Sequence, residues 1–157
     1  REHKAATAHL RLSETRVAVT IGGVTMMSKA IDGTFPESNR AIPPLQSEAA
    51  IVPATALITA VSAASSDRSR AVKLTVDGSG GRVEAAGGPA AWRAISGAYH
   101  EGEGMVSGFN ARYLLDAAGA FLAGATLRLS QAAPGDPVRI ESDDAPDVTV
   151  VVMPMRV

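Results

Sequence analysis

Residues 49–65, AAIVPATALITAVSAAS, set the architecture, because a short apolar strand here runs straight into an amphipathic helix. Residues 49–52 predict the strand, and Pro53 suits the first turn of a helix that reaches to about Ser65. The two faces of this helix differ in character. One is apolar, with Leu57, Ile58, Val61 and Ala64, and the other is small and polar, with Thr55, Thr59, Ser62 and Ser66.

The same pattern returns about 57 residues later along the chain. Residues 105–107 predict a strand, Asn110 is a good N-cap, and a helix follows from Ala111 to about Ala123, with Gly124 as its terminating glycine. Its apolar face contains Leu114, Leu115, Ala118, Phe121 and Leu122. Three strands are predicted after each helix, at 72–76, 82–85 and 92–96 and then at 126–129, 138–141 and 148–153.

These elements make two β-α-β-β-β units, an internal repeat. Many strands with few helices predict an α+β fold, with both helices on one face of antiparallel sheets. Ahead of the repeat, residues 9–13, 17–21 and 24–28 alternate apolar and polar side chains and predict three more strands. Turn residues at 32–33, 36 and 43–44 then predict a boundary between about 36 and 46.

Composition narrows the class of protein. The chain has 157 residues, 46% hydrophobic and 20% charged, as expected of one globular domain or slightly more. It has no cysteine, which excludes disulfides and thiol chemistry and is compatible with the cytoplasm. No basic-then-apolar leader and no long apolar run are present, so a cytoplasmic location is expected. Because the chain begins at Arg1 rather than Met, we expect it to be part of a longer product.

The net charge limits the ways in which the protein can bind nucleic acid. Fifteen basic and 16 acidic residues give a net charge of −1, without the basic excess of a protein that grips phosphates. Any contact with DNA is therefore expected to be local, weak or topological.

The residues give little support to an enzymatic function. The three histidines, His3, His9 and His100, are scattered, and no metal-binding spacing occurs. The aspartates between 136 and 147 lack the alternation of a calcium loop, and residues 78–81 lack the ending of a phosphate loop. We therefore expect no catalytic residue, metal or cofactor. A hydrolase that uses the acidic loop is the weakest alternative.

Three segments resemble those of the bacterial DNA polymerase III beta subunit, the sliding clamp. Residues 28–36, SKAIDGTFP, with 40–43, RAIP, are similar to the family signature SKLIDGRFPDYRRVIP. Residues 108–116, GFNARYLLD, resemble GFNxxYLLD, and residues 151–157, VVMPMRV, resemble the terminal YVVMPMRL. Their order and spacing agree across about 130 residues.

The resemblance implies the DNA-clamp fold, with residues 40–157 as the C-terminal (third) domain and 1–39 as the terminal strands of the middle domain. It implies a non-catalytic processivity subunit in DNA replication, a homodimeric ring of two three-domain subunits. In such a ring the helices face double-stranded DNA. Polymerase subunits, the clamp loader and repair proteins bind it through linear peptide motifs.

The family's peptide pocket lies between the second and third domains, and its positions can be carried over to this sequence. Methionines suit such a pocket because flexible thioethers adapt to different apolar partners. The resemblance implies that the C-terminal end folds back beside the proline turn near residue 36. The matching residues are Pro36, Arg40, Ala41, Val151, Met153, Pro154, Met155, Arg156 and Val157, with Asn110 and Tyr113 at the rim. The alternative is a buried strand over 150–153 followed by a frayed tail.

The resemblance also implies a DNA-facing surface. The polar stripe of the first helix would line the hole, and the helix itself carries no Lys or Arg. The candidates are Thr55, Thr59, Ser62, Arg68, Arg70, Lys73 and Arg112. The alternative is a solvated helix face and loop.

One departure from the family concerns ring closure. Clamps tend to have bulky aliphatic residues near the end of the first helix and an acidic run after the following strands. This chain has Ala63-Ala64 and residues 87–94, GGPAAWRA, at those places. Less apolar area and less charge weaken closure. The alternative function is a clamp-derived protein-binding module that forms no ring and does not encircle DNA.

Overall fold

The computed structural model describes residues 7–34, 37–65, 70–86 and 92–157. The chain divides into two compact units, Arg1–Glu37 and Ser38–Val157.

The first unit is an antiparallel three-stranded sheet of β1 (Ala8–Leu12), β2 (Arg16–Ile21) and β3 (Val24–Lys29). These are the three strands that the alternation of the sequence predicts. Gly22 and Gly23 join β2 to β3 with φ of 56° and 85°. A two-residue hairpin needs positive φ at both positions, which glycine adopts without strain.

The register of this sheet sorts its side chains by polarity. Leu10 pairs with Val19, Val19 with Met26, and Leu12 with Val17, so these residues share one face. Ile21 and Val24 complete that face, while the other carries mostly polar and charged residues. Among the described residues of this unit, none is buried. The unit thus has an apolar face without a core.

The second unit contains two helices and nine strands among its described residues. Its first repeat has β4 (Ala50–Pro53), α1 (Ala54–Ala64), β5 (Ala71–Asp77), β6 (Gly80–Ala85) and β7 (Trp92–Ile95), and then the short β8 (Tyr99–His100). The second repeat has β9 (Met105–Asn110), α2 (Ala111–Ala118), β10 (Thr126–Ser130), β11 (Val138–Glu141) and β12 (Val150–Val152). A 3-10 turn at Ser38–Arg40 precedes them.

The two repeats exchange their first strands. One sheet has the order β7-β6-β5-β9, so the first strand of the second repeat completes the sheet of the first. The other has the order β12-β11-β10-β4-β8, with β4 beside β10. Neither repeat therefore forms its sheet alone.

The core lies between these sheets and the helices. The two helices pack on each other, and each also contacts strands of both sheets. Leu57, Leu74, Phe109, Leu114 and Leu127 are fully buried there. The predicted α+β fold, with repeated units and two helices on one face of antiparallel sheets, is confirmed.

The end of α2 differs from the sequence prediction. The helix stops at Ala118 with Gly119 as its C-cap, not at Ala123 with Gly124, and Leu122 is 70% exposed rather than on the apolar face. The loop that follows α2 forms hydrogen bonds with the first residues of α1. The carbonyl of Ala125 accepts the N–H of Ala54 at 2.9 Å, and that of Ala123 accepts the Thr55 hydroxyl. The loop thus satisfies donors at the start of α1, which a longer α2 would remove.

Smaller corrections have local causes. Pro53 is the last residue of β4 and the N-cap of α1 rather than part of its first turn. Strand β9 extends to Asn110 instead of ending at Ser107, because it pairs with β5 along its whole length. Strand β8 was not predicted, since two residues show no periodicity.

Candidate functional site

The C-terminal segment, residues 153–157, follows the edge strand β12 without regular structure of its own. It is nevertheless fixed, because the Met155 N–H donates to the Gly108 carbonyl at 2.9 Å. Gly108 lies on β9, the edge strand of the other sheet. The chain thus crosses from one sheet to the other within a few residues, and it is not a frayed tail.

Apolar side chains of this segment face solvent. Met153 is 62% exposed and Met155 is 44% exposed, whereas Val152, the last residue of β12, is buried. Tyr113 on α2 is also exposed. Exposed apolar side chains on a fixed backbone are typical of a surface that binds a partner.

One cleft, the α2–β12 cleft, has a volume of about 440 Å³ between helix and strand. Three of the predicted site residues, Tyr113, Val151 and Met153, line it. Of the described residues around it, Asp116 alone carries a charge, so the wall is mainly apolar. Its lining is Tyr113, Asp116, Ala117, Val150, Val151, Val152 and Met153.

A second cleft, the tail–β9 cleft, of about 600 Å³, lies along the rest of the segment. The predicted residues Pro154, Met155, Arg156 and Val157 form part of its wall. The rest of its wall includes Lys73, which was predicted to face DNA. The other wall residues were not predicted for any site, and they are Val106, Ser107, Gly108, Pro134 and Gly135. The exposure of Val106 was predictable from alternation in β9, but the loop at 134–135 reaches the site only through tertiary folding.

Of the other predicted pocket residues that the structure describes, two lie outside both clefts and the third caps a helix. Arg40 and Ala41 are exposed, at the end of the 3-10 turn and just after it, and they are not among the residues that line either cleft. The Asn110 side chain accepts the Arg112 N–H at 3.0 Å and so caps α2. Pro36 lies outside the described residues, and the approach of the segment to the turn near it stays a prediction.

The polar stripe of α1 is exposed at Thr55, Thr59 and Ser62. Its two threonine hydroxyls already donate to backbone, Thr59 to the Thr55 carbonyl at 2.8 Å and Thr55 to that of Ala123. Ser66 lies outside the described residues. The stripe thus offers a small, neutral surface.

The basic candidates that the structure describes lie on other parts of the chain than that stripe. Arg112 on α2 pairs with Asp116 at 3.8 Å, with both side chains exposed. Lys73 alternates with the buried Val72 and Leu74, so it lies on the sheet face opposite the helices, in the tail–β9 cleft. Arg70 is exposed just before β5, and Arg68 lies outside the described residues.

Two carboxylates have pKa values displaced from the ordinary range. The Arg139 guanidinium, at 2.5 Å, lowers the pKa of Glu141, with a smaller contribution from the Thr149 hydroxyl. Hydrogen bonds from the Ser79 side chain and backbone lower the pKa of Asp77 in the β5–β6 turn. Neither residue lines the two clefts described above.

Metal sites and membrane-spanning helices characterise other classes of protein. Within the described ranges, no group of three His, Asp or Glu side chains is placed to hold a metal ion. No helix in that part of the chain has the length and apolar character to cross a membrane.

Comparison with known proteins gives a consistent result. Residues 39–156 match the family model described as DNA polymerase III beta subunit, C-terminal domain. The beta sliding clamp of Caulobacter vibrioides is 33% identical over 164 aligned positions, which cover 99% of this chain and 43% of that protein. The chain therefore spans less than half the length of the curated relatives it matches.

Solved structures show the same similarity. A sliding clamp from Bartonella birtlesii bound to griselimycin superimposes with a TM-score of 0.80 and 32% identity, covering 96% of this chain and 41% of that one. The DNA polymerase sliding clamp from Caulobacter crescentus gives a TM-score of 0.81 and 30% identity over the same shares.

Proposed function

This chain belongs to the DNA polymerase III beta subunit family, and from that membership we propose that it is part of a DNA sliding clamp. In this role it tethers DNA polymerase and repair proteins to DNA through an apolar peptide-binding site. It is a non-catalytic processivity subunit that acts in the bacterial cytoplasm.

The observation that carries this proposal is the fixed C-terminal segment. Its backbone is tied to β9 through Met155, while the side chains of Met153 and Met155 remain largely exposed. Such a surface offers apolar area that is already ordered, so a peptide binds without the entropy loss of arranging it.

The two clefts follow one another along this segment, the first at residues 150–153 and the second at 154–157. An extended peptide with apolar side chains at alternating or adjacent positions fits this arrangement. The proposed partners are therefore polymerase subunits, clamp-loader subunits and repair proteins that carry short linear motifs.

We assign residues 40–157 to the third domain of the clamp and residues 1–39 to the terminal strands of its middle domain. The uncovered apolar face of β1–β3 supports this assignment, because such a face is stable only when another layer covers it. Arg40, Ala41 and Pro36 stay proposed peptide-binding residues, because they match the family's pocket positions.

Contact with double-stranded DNA would be weak and topological. The exposed surface of α1 carries Thr55, Thr59 and Ser62, which offer no charge to phosphates. Arg70 and Arg112 are exposed candidates for a phosphate contact, although Arg112 pairs with Asp116 at 3.8 Å, and Lys73 faces away from the helices.

The peptide site is tested by titrating a fluorescein-labelled Gln-Leu-Ala-Leu-Phe peptide, of the family's docking type, into the protein. The double variant Met153→Asp with Pro154→Ala places a charge in the cleft wall, and we expect it to weaken binding at least tenfold. Leu122→Asp is the matched control, since Leu122 is also largely exposed but lines neither cleft. Equal affinity of the double variant and the control would contradict the proposed site.

The second candidate, a clamp-derived binding module without a ring, is favoured by the end of α1. Ala63 is exposed and Ala64 buried, so this end presents little apolar area for subunit contact. Sedimentation equilibrium of the full-length product separates the two functions. A stable dimer supports the clamp ring, and a monomer that still binds the peptide supports the module.

A further inference from the structure

Gly108 occupies the point where the C-terminal segment touches the sheet. It lies in the middle of β9, opposite Lys73 of β5, and it is buried although β9 is an edge strand. Its carbonyl accepts the Met155 N–H at 2.9 Å. The segment thus covers this part of the strand.

The space above Gly108 is too small for any side chain. A Cβ atom built there would lie 2.4 Å from the Met155 carbonyl oxygen and 2.6 Å from both γ carbons of Val157. Ordinary contacts of a Cβ begin at about 3.4 Å. The Val157 side chain can rotate, but the Met155 oxygen belongs to the backbone, so the whole segment would have to move.

Backbone conformation does not explain this glycine. Its φ lies outside the left-handed region, unlike those of Gly22 and Gly23, so other residues can adopt the same backbone here. The close approach of the segment is the remaining reason for a missing side chain.

We propose that Gly108 is a positioning residue for the peptide-binding site, because its missing side chain lets the C-terminal segment lie against β9. This inference rests on the proposed function. Moving the Met155 oxygen from 2.4 Å to ordinary contact shifts the segment by about an ångström. That shift displaces Met155 and Pro154 from the wall of the tail–β9 cleft while leaving the buried core in place.

The test compares Gly108→Ala with Gly78→Ala in the full-length protein. Gly78 has open space around its Cβ position and no positive φ, so the control adds the same methyl group without a clash. We expect Gly108→Ala to bind the labelled Gln-Leu-Ala-Leu-Phe peptide at least tenfold more weakly, and Gly78→Ala to bind it like the unaltered protein.

Amide hydrogen exchange gives a readout that a general loss of stability would not produce. In Gly108→Ala the Met155 amide is expected to exchange at least tenfold faster, while the amides of β10 in the core keep their protection. Unchanged Met155 exchange together with peptide affinity within twofold of the unaltered protein would overturn the inference.

Two outcomes need their own tests, a Gly108→Ala variant that does not fold and an unaltered protein that binds no peptide. If Gly108→Ala does not fold, Met155→Pro removes the same hydrogen bond from the side of the segment, and Met155→Leu is its control. The inference requires the proline variant to bind the peptide more weakly than the leucine variant, and equal binding would overturn it. If the unaltered protein binds no peptide, the proposed function fails, and Met155 exchange alone still decides whether Gly108 positions the segment.

Discussion

At the scale of single residues, Glu141 is a carboxylate that the fold keeps in its charged form. It lies on β11, where the Arg139 guanidinium and the Thr149 hydroxyl both donate to its Oε1 atom, at 2.5 and 3.0 Å. These contacts lower its pKa below the ordinary value of 4.5. The folded protein therefore binds fewer protons than the unfolded chain between the two pKa values, and stability rises with pH there.

We expect Glu141→Gln to reduce the free energy of unfolding at pH 7 by about 1 kcal/mol, near the usual contribution of one such hydrogen bond. The contribution of Glu141 is complete above pH 4.5 and is lost as the pH falls through its lowered folded-state pKa. Urea titrations of both proteins from pH 7 down to pH 3 measure the difference, which should shrink toward the acid end. A difference that stays constant with pH would show that the carboxylate charge is not the cause.

At the scale of elements, α2 depends on its N-cap. It has eight residues, and short helices form only with support from caps and packing. Asn110 supplies the cap, since its side chain accepts the Arg112 N–H at 3.0 Å. The same helix forms one wall of the α2–β12 cleft, so its first turn connects stability to the site.

We expect Asn110→Ala to lower the free energy of unfolding by about 1 kcal/mol and Asn110→Asp to change it by only a few tenths, because aspartate caps equally well. Thermal unfolding followed by circular dichroism checks this. An alanine variant as stable as the aspartate variant would mean that packing alone holds the first turn of α2.

Sequence patterns predicted most of these elements and missed others for physical reasons. Alternation identified the long strands, and the apolar stripe of α1 identified its buried face. The end of α2 was wrong because the carbonyls of Ala123 and Ala125 serve α1, a tertiary contact that local propensity does not contain. The sequence also did not show that β4 and β9 pair with strands of the other repeat. An internal repeat gives the order of the elements along the chain but not which strands pair.

The candidate site likewise contains some residues that the sequence predicted and others that it did not. Resemblance selected Met153 through Val157 and Tyr113, all of which line one of the two clefts. It did not select Val106, Pro134 or Gly135, which come from a strand face and a loop brought to the segment by folding. Gly108 fell just after the strand predicted at 105–107, so its role became clear only from the full extent of β9 and the position of Met155.

At the scale of the whole molecule, the first unit has an apolar sheet face without a cover. Leu10, Val19 and Met26 lie on it side by side, and Met26 is 65% exposed. An exposed apolar sheet face is prone to association. Under the proposed domain assignment, the rest of a middle domain would cover this face.

We therefore expect this chain alone to self-associate with increasing concentration, and Leu10→Lys with Met26→Lys to reduce that association strongly. The matched control is the double variant Met27→Lys with Ala18→Lys, because both residues lie on the opposite face. Met27→Lys alone is a further control. Sedimentation velocity across a hundredfold concentration range measures the effect. Equal association of the two double variants would show that another surface is responsible.

The exchanged strands also determine when this protein can fold during its synthesis. Val52 of β4 finds its partner, Leu127 of β10, only after the chain between them has left the ribosome. Before that point β4 lacks β10, and before β9 has emerged the sheet of β5–β7 also lacks its edge strand. Such non-local pairing raises contact order and slows folding. The emerging second unit therefore exposes unpaired strand edges until its last strands are made, and we expect this to favour aggregation of the incomplete chain.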